Sequence, residues 1–113
     1  MKPVWSNQID IILGSGHPLN EIGVNNWALQ KDEALNALIE LAKIQVPILG
    51  GDVCELTNGV IQYNYDNWYC DKNLQETKLA FVLRSIAKAK QYIENYQSKY
   101  PDKIFFALVP ETE

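Results

Sequence analysis

The pair Asn58-Gly59 constrains this chain more than any other two residues. It sits between two extended, apolar-rich runs, and both residues tolerate the positive φ that a tight type I′ turn demands. The stretch from Ile48 to Cys70 therefore reads as a β-hairpin (about 47–69) turning at Thr57-Asn58-Gly59-Val60. That register sets Thr57 against Val60, Cys54 against Tyr63 and Pro47 against Cys70. Opposed residues share a face. Ile48, Cys54 and Leu56 then lie with Ile61, Tyr63, Tyr65 and Tyr69 on the face expected to be core. Leu49, Val53 and Trp68 lie with Glu55, Gln62, Asn64 and Asp66 on a largely wet face. Two blocks interrupt the strand chemistry: Gly50-Gly51-Asp52 and Asp66-Asn67-Trp68. Glycine, Asp and Asn all weaken a plain strand, and a bulge at Gly50-Gly51 would flip the residues beyond it.

The remaining elements follow from periodicity and capping. Ser6 to Leu13 forms a short helix with Ser6 or Asn7 as its cap. Gly14 to Pro18 reads as a loop that leaves His17, the single histidine, at the surface. Val24 to Leu29 is a short strand or an extended lead-in. Lys31 to Ile44 is an amphipathic helix with Ala34, Leu35, Leu38, Leu41 and Ala42 in its apolar stripe. Asn73 and Glu76 resemble a capping box for a helix spanning about Leu74–Lys99. Leu79, Val82, Leu83, Ile86, Ile93 and Tyr96 mark its apolar side. Lys103 to Val109 is apolar on both alternations, as in a strand buried on both faces. The fold class is α+β: a small, mostly antiparallel sheet built on the hairpin and a C-terminal strand, with two or three packed helices.

At 113 residues the chain is expected to form one domain, 1–113, around a modest core. No apolar run reaches the length of a membrane span, and none resembles the core of a signal peptide. In the hairpin register Cys70 lies seven positions along the strand from Tyr63, which places the two cysteines roughly 20 Å apart, beyond disulfide reach. Two free thiols suit a reducing compartment, so the expected location is the cytoplasm. Charge is uneven. Residues 1–70 carry a net −5 and residues 71–113 a net +1. That balance argues against nucleic acid as partner; it suits a basic protein partner or a plain solubilising surface charge.

Asp52 and Asp66 are the one acidic pair that the hairpin brings near each other. Two carboxylates can work as general acid and base, or bind a hard cation. They can equally cap backbone N–H groups at a bulge or strand end. A small enzyme or a ligand- or metal-binding domain using Asp52 and Asp66 is thus the alternative reading. Cys54 has no indicated base and reads as core. No Cys/His cluster suggests zinc, and no cofactor is indicated. Trp27 reads as core, whereas Trp68 fits either a core or a binding hot spot.

Four blocks, taken in order and spacing, resemble the immunity protein 40 family over roughly residues 9–109. They are Gly23-Val24-Asn25-Asn26-Trp27-Ala28-Leu29, the helix with Glu33-Ala34-Leu35 and Leu38, Ile48-Leu49-Gly50-Gly51-Asp52-Val53, and Tyr65-Asp66-Asn67-Trp68-Tyr69. The motif residues are Trp27, Gly50, Gly51, Asp52, Asp66, Asn67 and Trp68. Cys54 departs from the pattern, which has an aromatic residue after the Gly-Gly-Asp-Val block. The resemblance implies a bacterial cytoplasmic protein of polymorphic toxin systems that binds and neutralises a co-encoded toxin. It does not imply an enzyme. With the acidic balance, it points to Asp52, Glu55, Asp66 and Trp68, on the open side of the hairpin, as partner-binding residues.

Overall fold

The turn forms as its sequence requires. Asn58 and Gly59 have φ of 52° and 80°, and Thr57 pairs with Val60 and Cys54 with Tyr63. The computed structural model describes residues 2–112. Met1 and Glu113, counted in the single domain expected above, lie outside the described residues. The helices are α1 (Asn7–Leu13), α2 (Lys31–Lys43) and α3 (Lys78–Asn95); the strands are β1 (His17–Pro18), β2 (Trp27–Ala28), β3 (Ile48–Thr57), β4 (Val60–Tyr69) and β5 (Ile104–Pro110). Strands β4, β3 and β5 form an antiparallel sheet in that order, and β1 and β2 form a second small pair. The expected α+β class and the C-terminal strand are both present. His17, expected in a loop, is exposed in the two-residue β1. None of the described helices is long and apolar enough to cross a membrane.

Both faces of the sheet are covered, and the larger core lies on the face expected to be wet. Val53, Trp68, Phe106 and Leu108 pack with Leu38 and Leu41 of α2 and Ala89 and Ile93 of α3. The opposite face holds Cys54, Ile61 and Ala107 beneath Leu19 and Ala28 from the small β1–β2 pair. Leu56, Tyr65 and Tyr69, expected in the core, are exposed. The physical reason is that β5 is apolar on both alternations, so it offers Phe106 and Leu108 to the helices and Ala107 to the N-terminal segment. The helices take the face with the bulkier side chains.

The hairpin register is also corrected. Asp52 opposes Asn67 and Gly50 opposes Tyr69, so four residue steps on β4 match two on β3 between Asp52 and Cys54. The added residues form a bulge around Tyr65. Pro47 therefore does not face Cys70. The cysteines lie roughly 15 Å apart by strand spacing, nearer than the roughly 20 Å expected, and both are free. A second irregularity falls at Gly50 as expected, but it arises against β5, where Gly50 pairs with Val109 and Ile48 with Pro110. Buried Ser85 of α3 serves that spot: its Oγ accepts the Ile48 N–H at 3.0 Å.

Helix α3 is shorter than expected at both ends. Gln75 has φ of 67°, which breaks the helix before it starts, and Thr77 is the true cap, accepting the Ala80 N–H at 3.1 Å. Glu76 does reach back to the Asn73 N–H at 2.9 Å, but within a preceding turn. Val82 and Ile93 face inward as expected, whereas Leu79 and Leu83, placed on the apolar side by sequence, are exposed and Phe81, Ser85 and Ala89 are buried.

Candidate functional site

The β4 bulge is built from three Asx residues around one tyrosine. Tyr65 has φ of 73°, a left-handed conformation that costs an L-residue roughly 1–2 kcal/mol. Side chains on both sides hold it there. Asn64 Oδ1 accepts the Asp66 N–H at 2.9 Å, and Asn67 Nδ2 donates to the Tyr65 carbonyl at 3.1 Å. The result turns Tyr65 out into solvent at 87% exposure, with Asp66 and Asn67 exposed beside it. Strained backbone of this kind persists only where its surroundings fix it, and it is concentrated at functional sites.

Beneath the bulge lies a polar and aromatic support from α3 and its C-cap residue Tyr96. The Tyr96 hydroxyl donates to Asp66 Oδ2 at 2.6 Å and accepts from Asn64 Nδ2 at 2.9 Å. Asn64 also reaches Glu55 Oε1 at 3.4 Å. Burial, and then the bond to Asp66, push the Tyr96 phenol up to about 12, so at neutral pH it remains a donor. Trp68 stacks on Tyr92 with centroids 4.6 Å apart, Tyr92 meets Tyr96 at 5.9 Å, and Tyr96 sets its edge against Phe106 at 5.8 Å. This aromatic row ties the outer strand to the core. Tyr69, 69% exposed, completes the surface; Lys88 Nζ lies 5.4 Å from its ring centre.

The four residues expected on the open side of the hairpin therefore separate. Glu55 and Asp66 share the face toward α3. Trp68 is corrected to a core residue at 6% exposure. Gly51 explains why: a Cβ there would overlap the Trp68 ring, so glycine leaves the slot the indole fills. A Cβ on Gly50 would likewise strike the Trp68 carbonyl oxygen. Among the described residues Trp68 Nε1 is the one buried side-chain nitrogen or oxygen without a hydrogen-bond partner.

Asp52 sits on the other face of the sheet, half-buried, where its charge acts on Cys54 and Tyr63. Burial raises its own pKa. Asp52 and Asp66 thus point to opposite sides of the sheet, and the acid–base or cation-binding pair suggested by the hairpin is not assembled. Among the described residues no group of three His, Cys, Asp or Glu side chains could hold a metal. Burial, and then Asp52, push the Cys54 thiol up to about 12, which keeps it protonated and poorly nucleophilic.

Sequence reasoning missed Tyr65, Tyr69, Asn64 and Tyr96. The available signal was the run Asn64-Tyr65-Asp66-Asn67: three Asx residues in four strand positions compete with the ladder through their own side chains. Trp27, half-buried, packs against the main core as expected. Its neighbour Asn26 does more: Oδ1 accepts the Trp27 N–H at 2.8 Å, and Nδ2 donates to the Leu108 carbonyl at 2.9 Å.

No curated protein and no solved structure matches the chain significantly. The sequence model of immunity protein 40 matches residues 18–110, which spans β2, helices α2 and α3 and the whole three-stranded sheet. The chain belongs to the immunity protein 40 family.

Proposed function

We propose that this protein binds and neutralises a co-encoded bacterial toxin inside the producing cell's cytoplasm, and that it does so without catalysis, cofactor or metal. The binding surface is the outer side of the hairpin: Asp66 and Glu55, with Tyr65 and Tyr69 exposed beside them; Asp52, on the opposite face of the sheet, lies outside it. The observation that carries this reading is the β4 bulge. It holds Tyr65 at a conformational cost and presents it with Asp66, while Tyr96 and Trp68 fix the base beneath. A preformed aromatic and acidic surface of this kind binds with little ordering cost. The acidic groups chiefly raise the association rate, and Trp68 acts as the support.

The test uses the toxin encoded next to this gene, co-expressed with wild type and with Glu55→Lys and Asp66→Lys, each checked by circular dichroism. Both reversals should slow association by about tenfold at low salt, with the gap narrowing as salt rises. Unchanged rates in both variants would place the interface elsewhere. A wild-type protein that neither binds the toxin nor protects cells would remove the role itself.

A further inference from the structure

The two edges of the main sheet are not equivalent. The Cys70 N–H donates to the Leu49 carbonyl at 2.8 Å, which makes Gly50 and Tyr69 a non-hydrogen-bonded pair. By the alternation of antiparallel ladders, Asn67 and Tyr69 turn their N–H and C=O groups away from β3. On the turn side of the bulge, Ile61 and Tyr63 do the same. β4 has no strand on that side. On the far edge the outward groups of β5 are partly occupied, at Phe106 and at the Leu108 carbonyl. Leu29 and Phe106 exchange two bonds of 2.7–2.8 Å, and Asn26 covers the Leu108 carbonyl.

Natural edges are normally blunted by lysine, proline or a short strand. β4 is ten residues long and contains neither residue. Its bulge and the Lys88 ammonium, which donates to the Tyr69 carbonyl, blunt only the half beyond Tyr63. Val60 to Tyr63 is left as an unprotected edge. Next to β4, Lys88, Gln91, Tyr92, Asn95 and Tyr96 line a groove of about 390 Å³. The whole hairpin, residues 48–69, carries Asp52, Glu55 and Asp66 and no Lys, Arg or His.

We infer that the Val60–Tyr63 edge of β4 accepts an extended, basic segment of the toxin as an added strand. Its backbone pairs with Ile61 and Tyr63, and its cationic side chains meet the hairpin carboxylates. This rests on the toxin-binding reading above. Backbone pairing supplies the affinity in such additions, and alternate side chains supply the specificity. A second copy of this chain fits the edge poorly, because it would bring carboxylates against carboxylates.

The test is amide exchange, followed by NMR on the free protein and on its complex with the neighbouring-gene toxin. The Ile61 and Tyr63 amides should slow about tenfold or more in the complex, whereas the Gln62 amide, already bonded toward β3, should change least. Gln62 is exposed, which allows a charge test without loss of fold. Gln62→Lys should weaken binding about fivefold and Gln62→Glu should strengthen it by a similar factor. A complex in which Ile61 and Tyr63 exchange as fast as in the free protein overturns the edge proposal and leaves neutralisation standing. The opposite sign at Gln62 overturns the basic character of the segment. Slow Ile61 and Tyr63 amides in a free protein that sediments as a dimer assign the edge to a second copy, and also overturn it. Absence of any complex removes both readings.

Discussion

The β5 edge and the β4 edge of the same three-stranded sheet are finished in opposite ways. On the β5 side the chain closes the middle of its own ladder: Leu29 bridges Phe106, and the Asn26 amide covers the Leu108 carbonyl. On the β4 side it spends three Asx residues on a bulge that pushes Tyr65 into solvent. Polar side chains close backbone groups on one edge and display a side chain on the other. Asparagine therefore has two roles in this fold. Asn26 is buried and holds elements together, whereas Asn67 is exposed and shapes a surface.

The largest expected effect lies beneath the displayed edge. Trp68→Ala should destabilise the fold by about 3–5 kcal/mol, read by chemical denaturation, because the indole fills the slot over Gly51 and stacks on Tyr92. Trp68→Phe should cost less, since no indole hydrogen bond is lost. Tyr69→Ala, one residue on and exposed, should stay within about 0.5 kcal/mol. Equal losses at Trp68 and Tyr69 would erase the distinction between support and surface.

The two asparagines give the next contrast. Asn26→Ala should cost about 1–3 kcal/mol, because it orphans a buried carbonyl. Asn67→Ala should cost under about 1 kcal/mol in stability, because the Tyr65 carbonyl can turn to water. Reversal of that order would break the comparison of edges. Tyr65→Gly should stabilise the protein by about 1 kcal/mol through relief of the left-handed strain, while weakening toxin binding. A variant both more stable and equally tight would show that Tyr65 is not displayed for the partner.

A smaller, pH-dependent effect concerns the turn leaving β4. Arg84 bonds Glu76 at 2.8 Å through both Nε and Nη2, and with the Asn73 N–H it holds the Glu76 carboxyl down to about 2. A carboxyl depressed in the fold contributes stability that is present above its ordinary 4.5 and is lost as pH falls toward 2. The melting temperature of wild type should therefore exceed that of Glu76→Gln at pH 6, with the gap closing between about pH 4.5 and 2. Parallel curves over that range would detach Glu76 from the turn.

Much of the fold was legible because it rests on local chemistry. Asn58-Gly59 sets the turn, the spacing of Ala34, Leu38 and Leu41 sets α2, and the unbroken apolar run 104–109 sets β5. The register of the hairpin was not legible beyond Cys54. A bulge that adds two residues preserves alternation, so no single side chain announces it. Which face the helices cover depends on β5, about fifty residues away. The start of α3 was misread because Asn73 and Glu76 form a capping-box bond in a turn that Gln75 then interrupts. At the candidate site the acidic residues Glu55 and Asp66 were visible as charges. Their division from Asp52, and the promotion of Tyr65 over Trp68, depend on tertiary packing.

The central claim, that the β4 side meets the toxin and the far side does not, is tested most directly by site-specific photocrosslinking. A photoreactive residue at Gln62 or Tyr65, and separately at Asn36 of α2 or Gln8 of α1, would be illuminated in cells that co-express the toxin. All four positions are exposed. The expected result is a crosslink to the toxin from Gln62 and Tyr65 and none from Asn36 or Gln8. Crosslinks from Asn36 or Gln8, with none from β4, would contradict the account.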